Sequence, residues 1–185
     1  MRHQDETLAD TVLEPTFVFM RAQTDKIRLH IRGFGPYFDY REKDVGKGLL
    51  SALMCFTMSL RPNAAELESL GRLERYCGRH ISAVNDILSW EKEVRAAEAS
   101  DGAEGAVLCS AVKVVMEETG VGVEAAKRVL WQVTREWEGV FEGLVGEMLR
   151  AGCGAAVRGY MQGLEYQMSG NEAWSLSTAR YHDLG

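Results

Sequence analysis

Proline is the residue that most constrains this chain. Only Pro15, Pro36 and Pro62 occur, and nothing beyond Pro62 interrupts the backbone in that way. Proline fixes φ and removes an amide donor, so its scarcity leaves long stretches free to run as helix. Those stretches carry apolar residues at helical spacing, and no Asn-Gly turn joins two alternating segments as a hairpin would require. The pattern predicts an all-α chain with helices over 5–13, 16–31, 37–60, 64–77, 79–99, 104–119, 123–150 and 155–168. Pro15 and Pro36 fit first-turn positions, and Asn63 reads as an N-cap with Glu66 three residues on. Gly120 closes one helix and Gly122 opens the next connection. Gly46 and Gly48 predict a weak or kinked point inside 37–60. A break is expected at Gly170–Asn171, leaving a polar last segment that is either frayed or an ordered loop closing over something.

The length of 185 residues allows one sizeable core, and 46% hydrophobic with 26% charged residues describes a folded chain rather than a disordered one. A net charge of −6 and a pI near 5.3 give no bulk attraction to nucleic acid or to an anionic membrane. Any anion must therefore be held by a local cluster of cations. Cys55, Cys77, Cys109 and Cys153 form no C-x-x-C pair and sit among apolar residues, as free thiols in a reducing compartment do. The N-terminus is polar and acidic, without the apolar core of a signal peptide, and no apolar run reaches the roughly 18 residues of a membrane span. A cytoplasmic location is the expectation.

One segment carries chemistry: Val84-Asn85-Asp86-Ile87-Leu88-Ser89-Trp90-Glu91-Lys92-Glu93. Asn85, Ser89 and Glu93 are four residues apart. Each such step turns a helix by only about 40°, so the three line one narrow face. They offer an amide oxygen, a hydroxyl and a carboxylate. Hard oxygens with a single anion suit Mg²⁺, leaving positions for water and phosphate. Lys92 falls on the same face, where an ammonium would face a polyphosphate. The structural alternative is a solvated polar face, but the apolar flanks Ile81, Ala83, Val84, Ile87 and Leu88 argue for burial.

With those residues in view, the chain resembles the class I terpene synthase family. Asn85, Ser89 and Glu93 match that family's second metal motif, N/D-D-x-x-S/T-x-x-x-E. Arg180-Tyr181, just past Trp174 and Ser175, resembles its C-terminal Arg-Tyr pair, and Arg41 resembles its diphosphate-sensing arginine ahead of a kinked helix. The stretches 19–25, 40–47, 108–113, 127–131 and 163–172 look like the aristolochene-forming branch of the fungal sesquiterpene synthases. The resemblance runs from about residue 9 to Tyr181.

The resemblance implies a class I helical bundle and a carbon–oxygen lyase that ionises farnesyl diphosphate with Mg²⁺ and cyclises it to a sesquiterpene. It implies Asn85, Ser89 and Glu93 as ligands of one Mg²⁺ of the three expected. Arg41, Lys92, Arg180 and Tyr181 would hold the diphosphate, with Asn85 beside them. Phe19 and Trp174 would shape the cation pocket, and Asp44 would tie the sensor to the helix break. His30 and His80 read as ordinary core or surface histidines, and Glu14, Asp25 and Glu165 as acids without an evident partner.

The family's aspartate-rich motif, D-D-x-x-D/E, occurs nowhere in the 185 residues. The expectation is a single partial cyclase domain over 1–185, corresponding to the C-terminal helices, with 170–185 as its capping segment and with little or no turnover by itself. An unpaired apolar face would favour self-association, so a homo-oligomer is a candidate partner state. The competing expectation is a non-catalytic helical paralogue that binds a prenyl diphosphate or a protein.

Overall fold

The computed structural model describes residues 3–99 and 108–182, and no strand occurs among them. The first elements are short: α1 (Glu6–Asp10), α2 (Leu13–Gln23), a 3₁₀ turn over Lys26–Leu29, α3 (Phe34–Asp44) and α4 (Lys47–Thr57). Long helices follow: α5 (Ala64–Ala99), α7 (Val123–Ala151) and α8 (Ala155–Ser177), with α6 (Ala111–Thr119) between the first two and α9 (Ala179–His182) at the end. At 1.5 Å per residue, the 36 residues of α5 form a rod about 54 Å long. Every later layer packs on it.

Two apolar clusters divide that rod. The C-terminal half of α5 (Ala83, Ile87, Trp90) packs with Tyr37 and Phe38 of α3, Val112 and Val115 of α6, and Leu130 and Trp137 of α7. Its N-terminal half (Leu70, Leu73, Cys77, Ile81) packs with Met54 of α4, Phe141 of α7, and Tyr160, Met161 and Leu164 of α8. On the outside, α2 exposes Leu13, Phe17 and Met20, whose spacing makes one continuous apolar row.

The predicted boundaries hold where local chemistry sets them. Asn63 and Glu66 exchange side-chain-to-backbone hydrogen bonds of 3.0 and 2.8 Å as a capping box. Gly120 ends α6 with φ of 72°. The kink expected in 37–60 is a full break: Gly46 adopts φ 74° and separates α3 from α4. Residues with a Cβ avoid that conformation.

Four expectations need correction. Helices 64–77 and 79–99 are one helix, because Gly78 admits a neighbour instead of ending the turn; a Cβ there would lie 3.1 Å from Glu42 Cγ and 3.3 Å from Lys47 Cγ. The 16–31 helix stops at Gln23, where Asp25 begins the 3₁₀ turn by accepting from the Ile27 amide at 2.9 Å. The break at Gly170–Asn171 does not occur, and α8 continues to Ser177 because it stays packed on α5, with Ser175 fully buried. The 104–119 helix starts at Ala111, capped by Ser110; positions 104–107 of that expectation, and 183–185 of the capping segment, lie outside the described residues.

Candidate functional site

α5 carries Asn85, Ser89, Lys92 and Glu93, and packing of α3 and α9 against it brings the distant residues to the same place. Arg41, in the last turn of α3, is the junction. Its Nη2 donates to Asn85 Oδ1 at 2.7 Å and to Asp86 Oδ1 at 2.9 Å, its Nε reaches Asp86 Oδ1 at 3.2 Å, and its Nη1 pairs with Asp44. Burial works against the guanidinium charge, but the adjacent Asp86, with Tyr37, Asp44 and Glu93 behind it, more than compensates and holds its pKa well above the ordinary value.

Asp86 is a residue the sequence reading passed over. It is fully buried and takes hydrogen bonds from Arg41, from the Tyr37 hydroxyl and from the Ala111 amide at 2.9 Å. It faces the core rather than the Asn85 side, so its work is to position Arg41 and the start of α6. The available signal was an aspartate surrounded by Val84, Ile87 and Leu88, where an unpaired carboxylate would be costly.

The polar face itself is already drawn together. Ser89 is buried and donates to Glu93 Oε1 at 2.6 Å. Burial and the nearby Asp86 raise the Glu93 carboxyl above the ordinary range, against the lowering pull of Ser89, Arg41 and Lys92. Asn85 donates from Nδ2 to the Tyr181 hydroxyl at 2.8 Å while its Oδ1 accepts from Arg41. Thus residues 44 and 96 positions from Asn85 in sequence meet at its one side chain. The tail residue Tyr181 is buried, with Lys92 Nζ 5.9 Å and the Arg180 guanidinium 6.0 Å from its ring centroid. Trp174 meets the same ring edge-to-face at 5.7 Å and remains half-exposed.

Of the expected substrate and metal residues, Phe19 alone lies elsewhere. Its ring covers the break between α3 and α4, so that a Cβ on Gly46 would come within 3.1 Å of Cδ2. It touches the cluster only indirectly, through the turn that follows Asp44. That aspartate does connect the sensor to its surroundings: its carbonyl and Oδ1 both accept from Gln23 Nε2 at 2.7 Å.

As a donor set, the Asn85 amide oxygen, the Ser89 hydroxyl and the Glu93 carboxylate fit a hard divalent ion, and three cations stand close enough to meet the charge of a polyphosphate. The charge balance makes the same point. Asp86 and Asp44 pair with Arg41, whereas Lys92 and Arg180 meet an aromatic face and have no ion pair among the described residues.

Residues 2–138 match the family described as terpene synthase family 2, C-terminal metal binding. Aristolochene synthase of Penicillium roqueforti is 56% identical over 184 residues, covering 98% of this chain and 54% of that protein. Aristolochene synthase of Aspergillus terreus is 47% identical over 182 residues, covering 98% and 57%. The crystal structure of the Penicillium roqueforti enzyme superposes with a TM-score of 0.82 at 55% identity, covering 96% of this chain and 58% of that one. The chain spans about half the length of the curated relatives it matches.

Proposed function

This chain belongs to the terpene synthase family, and on that premise we propose that it carries the diphosphate-binding wall of a sesquiterpene cyclase acting on farnesyl diphosphate. The observation that carries the reading is the meeting of Arg41, Asn85 and Tyr181 on one side chain, from three separate parts of the sequence. In this reading Asn85, Ser89 and Glu93 hold one Mg²⁺, which when bound supplies positive charge against the departing diphosphate.

The chain's own residues do the remaining work. Arg41, Lys92 and Arg180 offer fixed cations to phosphate oxygens, and charge fixed in advance needs no reorganisation as the C–O bond breaks. The Tyr181 hydroxyl, now accepting from Asn85, can donate to the same oxygens. Arg41 is clamped by Asp86 and Asp44, so its Nη2 stays aimed at the site whether or not an anion is present. Trp174 and Tyr181 place aromatic faces next to the cations and shield the approach from water. Phe19 would contribute an apolar wall by way of the Gly46 turn rather than by direct contact with this cluster. An aristolochene-type hydrocarbon is the product the relatives favour. The aspartate-rich partner motif is missing from these residues, so we expect substrate-head binding without turnover by this chain alone.

The test is calorimetric titration of the chain with pyrophosphate, with and without Mg²⁺, beside incubation with farnesyl diphosphate and gas chromatography. Mg²⁺-dependent pyrophosphate binding should be lost in Glu93→Gln and weakened in Ser89→Ala. Binding that ignores both Mg²⁺ and Glu93→Gln would replace this reading with a metal-independent prenyl-diphosphate-binding module. Abundant cyclised hydrocarbon from the wild-type chain would overturn the expectation of no turnover.

A further inference from the structure

A second constellation lies on the other side of α5, in a groove of about 470 Å³ between α7 and α8. His80 of α5 sits at its base, 1% exposed, with Glu138 of α7 and Glu172 of α8 reaching over it. Its Nε2 is 2.7 Å from Glu138 Oε1 and 3.5 Å from Glu172 Oε2, and the three ligand-type atoms all lie within 4.8 Å of one another. A tetrahedral ion with bonds of about 2.0–2.1 Å needs its ligands about 3.3 Å apart, a spacing that the two distances from Nε2 bracket.

We propose that His80, Glu138 and Glu172 form a binding site for a divalent transition ion of the zinc class, separate from the magnesium-type face around Asn85. Imidazole is a borderline-soft donor that favours such ions over Mg²⁺, whereas the Asn85, Ser89 and Glu93 set is all hard oxygen. The groove also has the right charge. Glu142 and Glu165 line it together with the two ligand carboxylates, against the single cation Arg135. Arg135 now bridges the pair, donating to Glu172 at 2.5 and 3.0 Å and to Glu138 as well. It is half-exposed and rests 5.1 Å from the Trp131 ring, so it can turn out to solvent when a more compact charge arrives.

Ligation through Nε2 would give up the His80 bond to Glu138 and place the ring proton on Nδ1, which is buried and has no hydrogen-bond partner, so the two carboxylates must supply the compensating affinity. The three ligands come from three helices, so an ion would pin α8 to α5 and α7. Glu172 stands one half-turn before Trp174, and the pinned helix is the one that leads into Tyr181.

Cobalt titration of the chelator-treated, full 185-residue chain, followed by visible absorption, tests the site, with zinc in a parallel thermal-melting series. One equivalent should bind with the comparatively intense visible d–d bands of tetrahedral Co²⁺ and no thiolate charge-transfer band, and zinc should raise the melting temperature even in excess Mg²⁺. Glu172→Gln should weaken binding by more than about tenfold, a loss that even outer-shell changes at metal sites reach. Arg135→Ala should tighten it, because the competing cation is gone. Binding unaltered in Glu172→Gln, weakened in Arg135→Ala, dominated by a thiolate band, or absent from the wild type would each overturn the proposal. Pyrophosphate plays no part in any of these measurements, so they stand or fall independently of the substrate reading.

Discussion

Arg41 and Lys47 flank the same left-handed turn at Gly46, and each carries a buried positive charge to a carboxylate on α5. Their surroundings differ. Lys47 pairs with Glu74, and Ser51 and the Tyr160 hydroxyl bond to the same carboxylate, so the network closes on itself among α4, α5 and α8. Arg41 has its needs met by Asp86 and Asp44, yet keeps a third bond, to Asn85, that leads outward to the tail. One network closes on its own members and the other has an open terminus. A buried ion pair gives little net stability because desolvation offsets its attraction, but it holds a charge where it is wanted. At Lys47 that placement joins helices; at Arg41 it also presents a cation to a prospective anion.

The largest expected effect lies at the sealed end of the Arg41 network. Asp86→Ala strands a buried guanidinium and two donors, and should cost about 3–5 kcal/mol in urea denaturation, or prevent folding outright. Lys47→Met should cost less, about 1–3 kcal/mol by the same measurement, because Glu74 keeps two hydroxyl donors and partial access to water. Equal losses would mean that the two networks are alike and that the contrast is wrong. Arg41→Lys separates placement from stability. The ammonium keeps the charge without the fork, so pyrophosphate affinity should fall about tenfold or more, while the melting temperature changes less than in Asp86→Ala. Gly46→Ala tests the shared turn: φ of 74° and the Phe19 ring at 3.1 Å should together cost about 1–3 kcal/mol and weaken both networks. The smallest effect is chemical. Cys77, packed near Lys47 and Glu74, has its thiol pushed up to about 12 chiefly by burial, so in the native chain it should resist alkylation until unfolding exposes it.

Local signals were readable in advance because their physics is local. The Asn63–Glu66 box, the Gly120 cap and the Asn85–Ser89–Glu93 face each need only a few residues and the geometry of a helix. The break expected between 64–77 and 79–99, at Gly78, misled for the converse reason. A glycine can end a helix or admit a neighbour, and only the facing side chains, Glu42 and Lys47 in the case of Gly78, decide which. His80 read as an ordinary histidine because Glu138 and Glu172 stand 58 and 92 positions away, on helices whose rotation no periodicity fixes to that precision.

The sequence alone determined that this chain is helical, where α5, α7 and α8 begin, and which face of α5 is polar. Tertiary structure decided what meets that face. Asp86 differs from Asn85 by one position, yet it turns into the core to hold Arg41, while Asn85 receives Arg41 and Tyr181 together. Helical periodicity specifies a direction around an axis; only the packing of α3, α6 and α9 against that axis supplies the partner.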